Sequence, residues 1–159
     1  MNKKSILSFA GLLFLSLSLT FISCNKKPGC TDPIAENYDD QAEVDDESCI
    51  SPRKKYVGQY NSFEQCNTTP AQNFFTDVRE ANDNLTDILI YNMANIFGNP
   101  VRATISQSTF IIEKQDPDGT GLFIEGNGSI AGNTISIQYG FFGNASPNAV
   151  KSCIVTMNK

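Results

Sequence analysis

LFIEGNGSIAGNTISIQYGFF, residues 122–142, is the stretch that decides the fold. On each side of Ala131-Gly132-Asn133, apolar and polar residues alternate with a period of two. That period is typical of β-strands with one buried and one wet face, and the Gly-Asn step between them is typical of a hairpin turn. Gly126 and Gly128 fall on the apolar face, where they predict sharp coiling of the sheet or close approach of a neighbouring backbone.

The same pattern extends over residues 55–159, which show alternating or apolar segments separated by turn signals and no long helical period. Residues 92–100 predict a loop or a single helical turn. We therefore expect an all-β fold, an antiparallel up-and-down meander of about eight strands closed into a barrel or a flattened barrel. The predicted strands are Tyr56–Asn61, Asn73–Ala81, Thr86–Tyr91, Val101–Ile105, Thr109–Glu113, Leu122–Ile130, Thr134–Phe142 and Val150–Met157.

Charge divides the chain into two parts. Between Cys30 and Cys49 lie eight acidic residues and no basic one, whereas residues 50–159 hold nine acids and eight bases. Without Lys3 and Lys4, which belong to the N-terminal segment described next, 10 of the 12 basic residues remain against 17 acids, a net charge of −7. That balance argues against a nucleic-acid partner, because such partners need a basic surface.

A short apolar segment ends at Cys24. Lys3 and Lys4 precede it, and Ser23 is a small residue directly before the cysteine. A basic start, an apolar middle and a small residue before the cleavage point predict an export signal, with a membrane-spanning helix as the alternative. Residues 21–24, Phe-Ile-Ser-Cys, resemble the lipobox of bacterial lipoproteins. The resemblance implies removal of residues 1–23, acylation (palmitate among the chains) of Cys24, and a lipid-anchored place in the cell envelope, with the outer membrane as the expected membrane.

Four cysteines remain once Cys24 is assigned to lipid. An even number in an exported chain predicts disulfides, with three possible pairings. The favoured pairing joins Cys30 to Cys49 and Cys66 to Cys153, because each pair then lies within one of the two parts of the chain.

Residues 29–49, GCTDPIAENYDDQAEVDDESC, resemble a bacterial module whose usual form is GCTDPxAxNYxxxAxxDDGSC and which is similar to the calcium-binding repeats of thrombospondin type 3. Glu47 replaces the usual Gly, a residue that would permit a positive φ. Clustered carboxylates suit calcium, which takes six to eight oxygen ligands, and the alternative is a solvated acidic spacer closed by one disulfide. The calcium ligands would include Asp32, Asp39, Asp45 and Asp46.

The second part resembles the lipocalin-like domains of bacterial lipoproteins. The resemblance rests on Tyr56-Val57-Gly58-Gln59-Tyr60 at its start, the run from Gly126 to Ile135, and Ser152–Met157 at its end. It implies a barrel but no ligand, because these motifs describe how a sheet is built. The expected organisation is a signal peptide over residues 1–23, a linker over 24–29, a disulfide-closed acidic module over 30–50 and a β-domain over 55–159.

The chain contains no His and no Trp, and its paired cysteines leave no thiol nucleophile. These absences disfavour His-based acid–base catalysis and predict that the protein is not an enzyme. We expect a binding module for a small apolar ligand or an exposed peptide, with no cofactor beyond calcium and with membrane attachment through acyl chains. The alternative is a structural or adhesive surface protein. Aromatic residues that could line a barrel mouth, or instead form the core, are Phe74, Phe75, Phe97, Phe110, Phe123, Phe141 and Phe142.

Overall fold

The computed structural model describes residues 26–144, 149 and 151–159. These residues form a two-stranded parallel sheet, in the acidic module, and a closed eight-stranded antiparallel barrel. The predicted all-β architecture and the barrel are therefore confirmed. The strands are β1 Pro28–Gly29, β2 Val44–Asp45, β3 Gly58–Cys66, β4 Gln72–Glu80, β5 Asp87–Tyr91, β6 Val101–Ser106, β7 Thr109–Gln115, β8 Leu122–Ala131, β9 Thr134–Gly143 and β10 Lys151–Asn158, with a 3₁₀ turn at Met93–Asn95.

Each barrel strand pairs with the next along the chain, and the barrel closes where β10 pairs with β3. This closing pair runs in register from Cys153 opposite Cys66 to Asn158 opposite Asn61. A disulfide joins Cys66 to Cys153 within it, and a second joins Cys30 to Cys49 in the acidic module, the two bonds that the sequence favoured. Closure removes the free strand edges that would otherwise pair with other chains.

The interior of the barrel is filled by side chains. Inward-facing residues of all eight strands form one continuous buried cluster, which includes Ile88, Ile124 and Val155 at 0% exposure. Gly126 faces this interior, and a Cβ there would overlap the Gln138 carbonyl oxygen and lie 2.7 Å from Tyr139 Cβ. Of the two alternatives that the sequence offered for Gly126, close approach of a neighbouring backbone is thus correct.

One end of the barrel, which we call the module end, is closed by the segment that follows the acidic module. Tyr56 is fully buried, and its hydroxyl donates a hydrogen bond to the Gln107 carbonyl at 3.1 Å. Arg53 is also buried and donates to the Ala81 carbonyl at 2.7 Å. Because Tyr56 turns into the barrel end, β3 begins at Gly58 and not at Tyr56, where the sequence placed it.

The opposite end is closed by residues 92–99, which we call the plug segment. It connects β5 to β6 and contains the 3₁₀ turn, in agreement with the predicted loop or helical turn. Met93, Ala94 and Phe97 of this segment are buried. The two ends therefore differ, since one is joined to the acidic module and the other is covered by a short crossing segment.

The acidic module begins before the boundary expected from the sequence. Pro28–Gly29, which the sequence assigned to the linker, form β1 and pair with Val44–Asp45. Lys27 also belongs to the module, because its ammonium lies 2.7 Å from an Asp39 carboxylate oxygen. A salt bridge of 2.5 Å between Lys55 and Glu36 joins the module to the start of the β-domain.

Candidate functional site

A groove of about 840 Å³ crosses the outside of the barrel wall over β7, β8, β9, β10 and β3. We call it the outer groove. Its middle is a single row of residues paired across neighbouring strands, in the order Ile111, Asn127, Gln138, Ile154 and Gln65. These five residues point outward because they alternate along their strands with residues of the buried cluster.

The row combines apolar side chains with unpaired amides. Ile111 and Ile154 are 55% and 52% exposed, which is high for large apolar residues. The amide groups of Gln65, Asn127 and Gln138 make no side-chain hydrogen bond with any other described residue. Each amide offers donors and an acceptor, so this row can hydrogen-bond to a partner that presents both.

One side of the groove has an aromatic floor. Phe142 lies on the outward face of β9, opposite Phe123 of β8, and is nevertheless only 7% exposed. The Lys114 ammonium lies 4.8 Å from the centroid of the Phe142 ring and 5.5 Å from that of Phe123. Phe123, which the sequence placed on a polar face, is therefore explained by this outward aromatic pair beneath a cation.

A strand irregularity places the charged residues of the groove. The pairing of β7 with β8 shifts register between Ile112 and Gln115, and the bulge turns Lys114 outward. Glu113 and Glu125 also line the groove. Among the described residues, two acidic side chains and one basic side chain thus line the groove, which favours a ligand with a positive charge.

The interior offers no ready-made site among the aromatic residues that the sequence suggested for a barrel mouth. Phe74, Phe97, Phe110 and Phe141 belong to the buried cluster. Phe75 is 73% exposed and lies on the outside. The alternative offered by the sequence, that most of these aromatics are core, therefore describes four of the seven.

A buried carboxyl lies beneath the plug segment. Glu64 is 1% exposed, and Gln72 Nε2 donates to its Oε2 at 2.6 Å and to the Ala94 carbonyl at 3.3 Å. Burial raises the pKa of Glu64. The hydrogen bond from Gln72 and the charge of Lys151 act in the opposite direction and lower this pKa, but burial is the larger effect. The carboxylate lies within 4.8 Å of the sulfurs of Cys66 and Cys153, but these are joined in a disulfide and cannot ligate a metal as thiolates.

The four aspartates predicted as calcium ligands act in separate turns. A carboxylate oxygen of each accepts a backbone N–H two residues further on, at 2.9 Å for Asp32 and 3.0 Å for Asp39, Asp45 and Asp46. The Lys27 hydrogen bond and the Gln41 N–H lower the pKa of Asp39. Among the described residues these carboxylates form no converging group of three, so calcium binding stays a prediction from the resemblance.

Cys24 and the export signal lie outside the described residues, so lipidation and an envelope location also stay predictions. Among the residues that the structure does describe, no helix has the length and apolar character needed to cross a membrane. The prediction that the protein is not an enzyme is likewise untested.

Sequence reasoning did not single out the outer groove. Its residues were visible as outward members of alternating strands, but Gln65 becomes a neighbour of Ile154 only through the closing pair of strands. Residues 112–115, where the bulge turns Lys114 outward, include no glycine or proline from which the bulge could be predicted. A usable signal was Phe123, because a large apolar residue on a wet face commonly marks a contact.

Comparisons with known proteins identify no family. No protein-family model and no curated protein matches this chain. Among solved structures, a redesigned β-barrel, mFAP1, bound to DFHBI matches with a TM-score of 0.47 and 11% identity over 69% of this chain and 99% of that chain. EF1p2_mFAP2b bound to DFHBI matches with a TM-score of 0.46 and 11% identity over 69% and 97% of the two chains. Neither likeness identifies a ligand for this chain.

Proposed function

We propose that this protein is a non-enzymatic, lipid-anchored protein of the cell envelope that binds an exposed, extended segment of another protein in the outer groove. The observation that carries the proposal is the cross-strand row, in which Asn127 and Gln138, whose amides have no partner among the described residues, lie between two exposed isoleucines. Cys24 supplies the proposed anchor, and the two disulfides fit a chain that resides in an oxidising compartment.

The topology determines how such a segment would be held. Many domains bind a peptide by adding it as a strand to a free sheet edge, but a closed barrel has none. The partner must therefore be held by side chains. Five strands spaced by about 4.8 Å give the groove a span of roughly 19 Å, which accommodates about six residues of an extended chain at about 3.3 Å each.

The chemistry of the groove fits a peptide. Asn127, Gln138 and Gln65 can each donate to a peptide carbonyl and accept from a peptide N–H. Ile111 and Ile154 offer contacts to apolar side chains. Near Phe142, the excess of carboxylates over ammonium groups favours a segment with a Lys or Arg at that position. A small apolar ligand is a poorer fit to the groove, because the amides would then lose water without gaining partners.

A library of random peptides displayed on phage, selected against the full chain purified in detergent, tests the proposal. We expect enriched peptides to bind the wild type and the Gln59→Arg variant but not Gln138→Arg. Gln59 is the matched control because it is exposed on the outer face of β3 near the module end. Peptides that bind Gln138→Arg as well as the wild type, or a selection that yields none, would contradict the proposal.

The anchor has its own test. Mass spectrometry of the protein from its native membrane should show an N-terminus at Cys24 carrying acyl chains. An unprocessed N-terminus would refute the proposed anchoring. It would not affect the proposed peptide site, which the phage selection tests independently.

The filled interior also favours a second candidate, a structural or adhesive surface protein whose acidic module is stabilised by calcium. Calorimetric titration of the full chain with calcium separates the two. Heat of binding at millimolar calcium that disappears in a variant with both Asp45→Asn and Asp46→Asn would favour this candidate. If the wild type shows no heat of binding, calcium plays no part in this candidate function.

A further inference from the structure

We infer that the barrel has a second, internal binding site beneath the plug segment, for a small amphipathic molecule with an ammonium head and an apolar body. The site goes beyond the proposed peptide groove and uses none of the five residues of its cross-strand row, although Tyr139 and the disulfide of Cys66 and Cys153 also line that groove. It consists of a buried carboxyl and a buried hydroxyl inside the barrel wall, covered by a strained segment.

Two buried polar atoms lack partners in this region. Neither Glu64 Oε1 nor the Tyr139 hydroxyl forms a hydrogen bond with any described residue, although Glu64 is only 1% exposed and Tyr139 only 4%. Both residues neighbour the same disulfide, since the Glu64 carboxylate lies within 4.8 Å of both sulfurs and the backbone of Tyr139 is paired with that of Cys153 in the sheet. Buried polar atoms without partners are rare in native proteins and indicate a ligand, a water or a functional role.

The segment above these atoms has an unfavourable backbone. Asn92, Ala94 and Asn95 have φ angles of 56°, 59° and 54°, in the left-handed region that side chains other than Gly seldom adopt. Ala94 is the clearest case, because it is fully buried and lacks the short polar side chain that helps Asn tolerate this region. Strained backbone of this kind persists only where surrounding contacts hold it, and it collects at ligand sites and switches.

Hydrogen bonds to a neighbouring strand and to another loop hold the plug segment in place. Asn92 Nδ2 donates to the Phe75 carbonyl at 2.6 Å. Asp118 accepts the backbone N–H groups of Gly98 and Asn99 at 3.0 and 2.8 Å. These contacts lie at the two flanks of the segment, so its middle can move outward while the flanks stay attached.

The middle of the plug segment is tied to the buried carboxyl itself. Gln72 Nε2 divides its hydrogen bonding between Glu64 Oε2 and the Ala94 carbonyl. An ammonium head that pairs with Glu64 competes with the Gln72 amide for this carboxylate, and displacement of Gln72 also breaks its hydrogen bond to the Ala94 carbonyl. Binding at the carboxyl and release of the plug are coupled through this one side chain.

Outward movement of the middle would withdraw Met93 and Phe97 from the barrel. Phe97 now lies against Phe141 with ring centroids 6.0 Å apart, and Tyr139 packs edge-on against Phe141 at 5.4 Å. The space vacated would have aromatic walls and a carboxylate at its base. An ammonium group is the head that such a site recognises, because it pairs with the carboxylate and interacts favourably with ring faces.

Titration calorimetry with n-hexylamine tests the inference, with hexanoate as the probe of opposite charge. The full chain is used in detergent, and the heat of each probe with the micelles alone is subtracted. We expect hexylamine to bind and hexanoate not to, and we expect Glu64→Gln to weaken the hexylamine affinity at least tenfold. Glu125→Gln, the same change in the outer groove, should leave the affinity unaltered.

A second measurement does not depend on a variant at position 64. Hydrogen exchange at the backbone amides of residues 92–99 should become faster when hexylamine is bound. Ala94→Gly, which relieves the left-handed strain of the closed plug, should weaken hexylamine binding by about fivefold. Equal binding of hexylamine and hexanoate, equal affinity of Glu64→Gln and wild type, or unchanged exchange in the plug segment would each overturn the inference and leave a buried water as the partner of Glu64.

Discussion

Replacement of Gly126 by Ala tests whether the close approach of β9 to β8 depends on the absence of one methyl group at this position. A Cβ at this position would overlap a backbone oxygen of Gln138 and lie 2.7 Å from Tyr139 Cβ and 2.9 Å from Tyr139 Cα. Because two of these atoms belong to the backbone of the paired strand β9, no side-chain rotation relieves the clash. Overpacking of a core costs about 1–3 kcal/mol, and we place this substitution at about 3 kcal/mol.

A smaller effect in the unfolded chain acts in the opposite direction. Ala restricts the unfolded backbone more than Gly does, which returns about 0.4–1 kcal/mol. The net loss is therefore about 2 kcal/mol, or roughly 6 °C in Tm at about 3 °C per kcal/mol for a chain of this size. Thermal unfolding followed by circular dichroism measures it.

Gly143→Ala is the matched control, since Gly143 ends β9 and a Cβ there would meet no described residue within 4 Å. We expect its Tm to stay the same or rise slightly. If the two variants unfold at the same temperature, the explanation from close packing at Gly126 is refuted.

Three further predictions concern other parts of the chain. Replacing Cys66 and Cys153 together with Ala should lower the free energy of unfolding in urea by about 4–5 kcal/mol, because the disulfide closes a loop with a sequence separation of 87, and a loss below about 1 kcal/mol would contradict this. Glu47→Gly should stabilise the acidic module by about 1 kcal/mol, since Glu47 has a φ of 62°. Dithiothreitol should then reduce the disulfide of Cys30 and Cys49 more slowly than in the wild type, and faster reduction would count against the prediction. Burial raises the pKa of Glu64, so the folded state binds this proton more tightly and stability from that source is lost as pH rises through the folded pKa. Urea midpoints measured between pH 4 and 9 should therefore fall less at the upper end in Glu64→Gln than in the wild type, and parallel curves would refute the assignment.

The alternating stretches predicted the strands because a period of two reports directly which side chains are buried. The hairpin of residues 122–142 appears in the structure with Ile130 opposite Ile135, as its turn signal implied. The usual Gly of the acidic module marked position 47 as one where a positive φ is permitted, and Glu47 has a φ of 62° in the structure. These features depend on local sequence, which a single chain displays in full.

Other features depend on contacts between distant residues. Tyr56 leaves the predicted strand because its hydroxyl finds the Gln107 carbonyl across the barrel end, 51 residues away in sequence. The row of the outer groove takes in Gln65 because β10 pairs with β3 in one particular register, which no local pattern encodes. Ala94 carries no residue-type signal for its left-handed backbone, since Ala is an ordinary helix former.

The pairing of β10 with β3 also sets the order of events during synthesis. The last barrel strand, β10 (Lys151–Asn158), must be synthesised before β3 can pair on its second edge. A nascent chain that stops earlier therefore exposes two unpaired edges, one on β3 and one on β9. Contacts between such remote segments make folding slow. Loss of even the last ten residues should thus yield an open sheet that aggregates, and not a slightly shortened barrel.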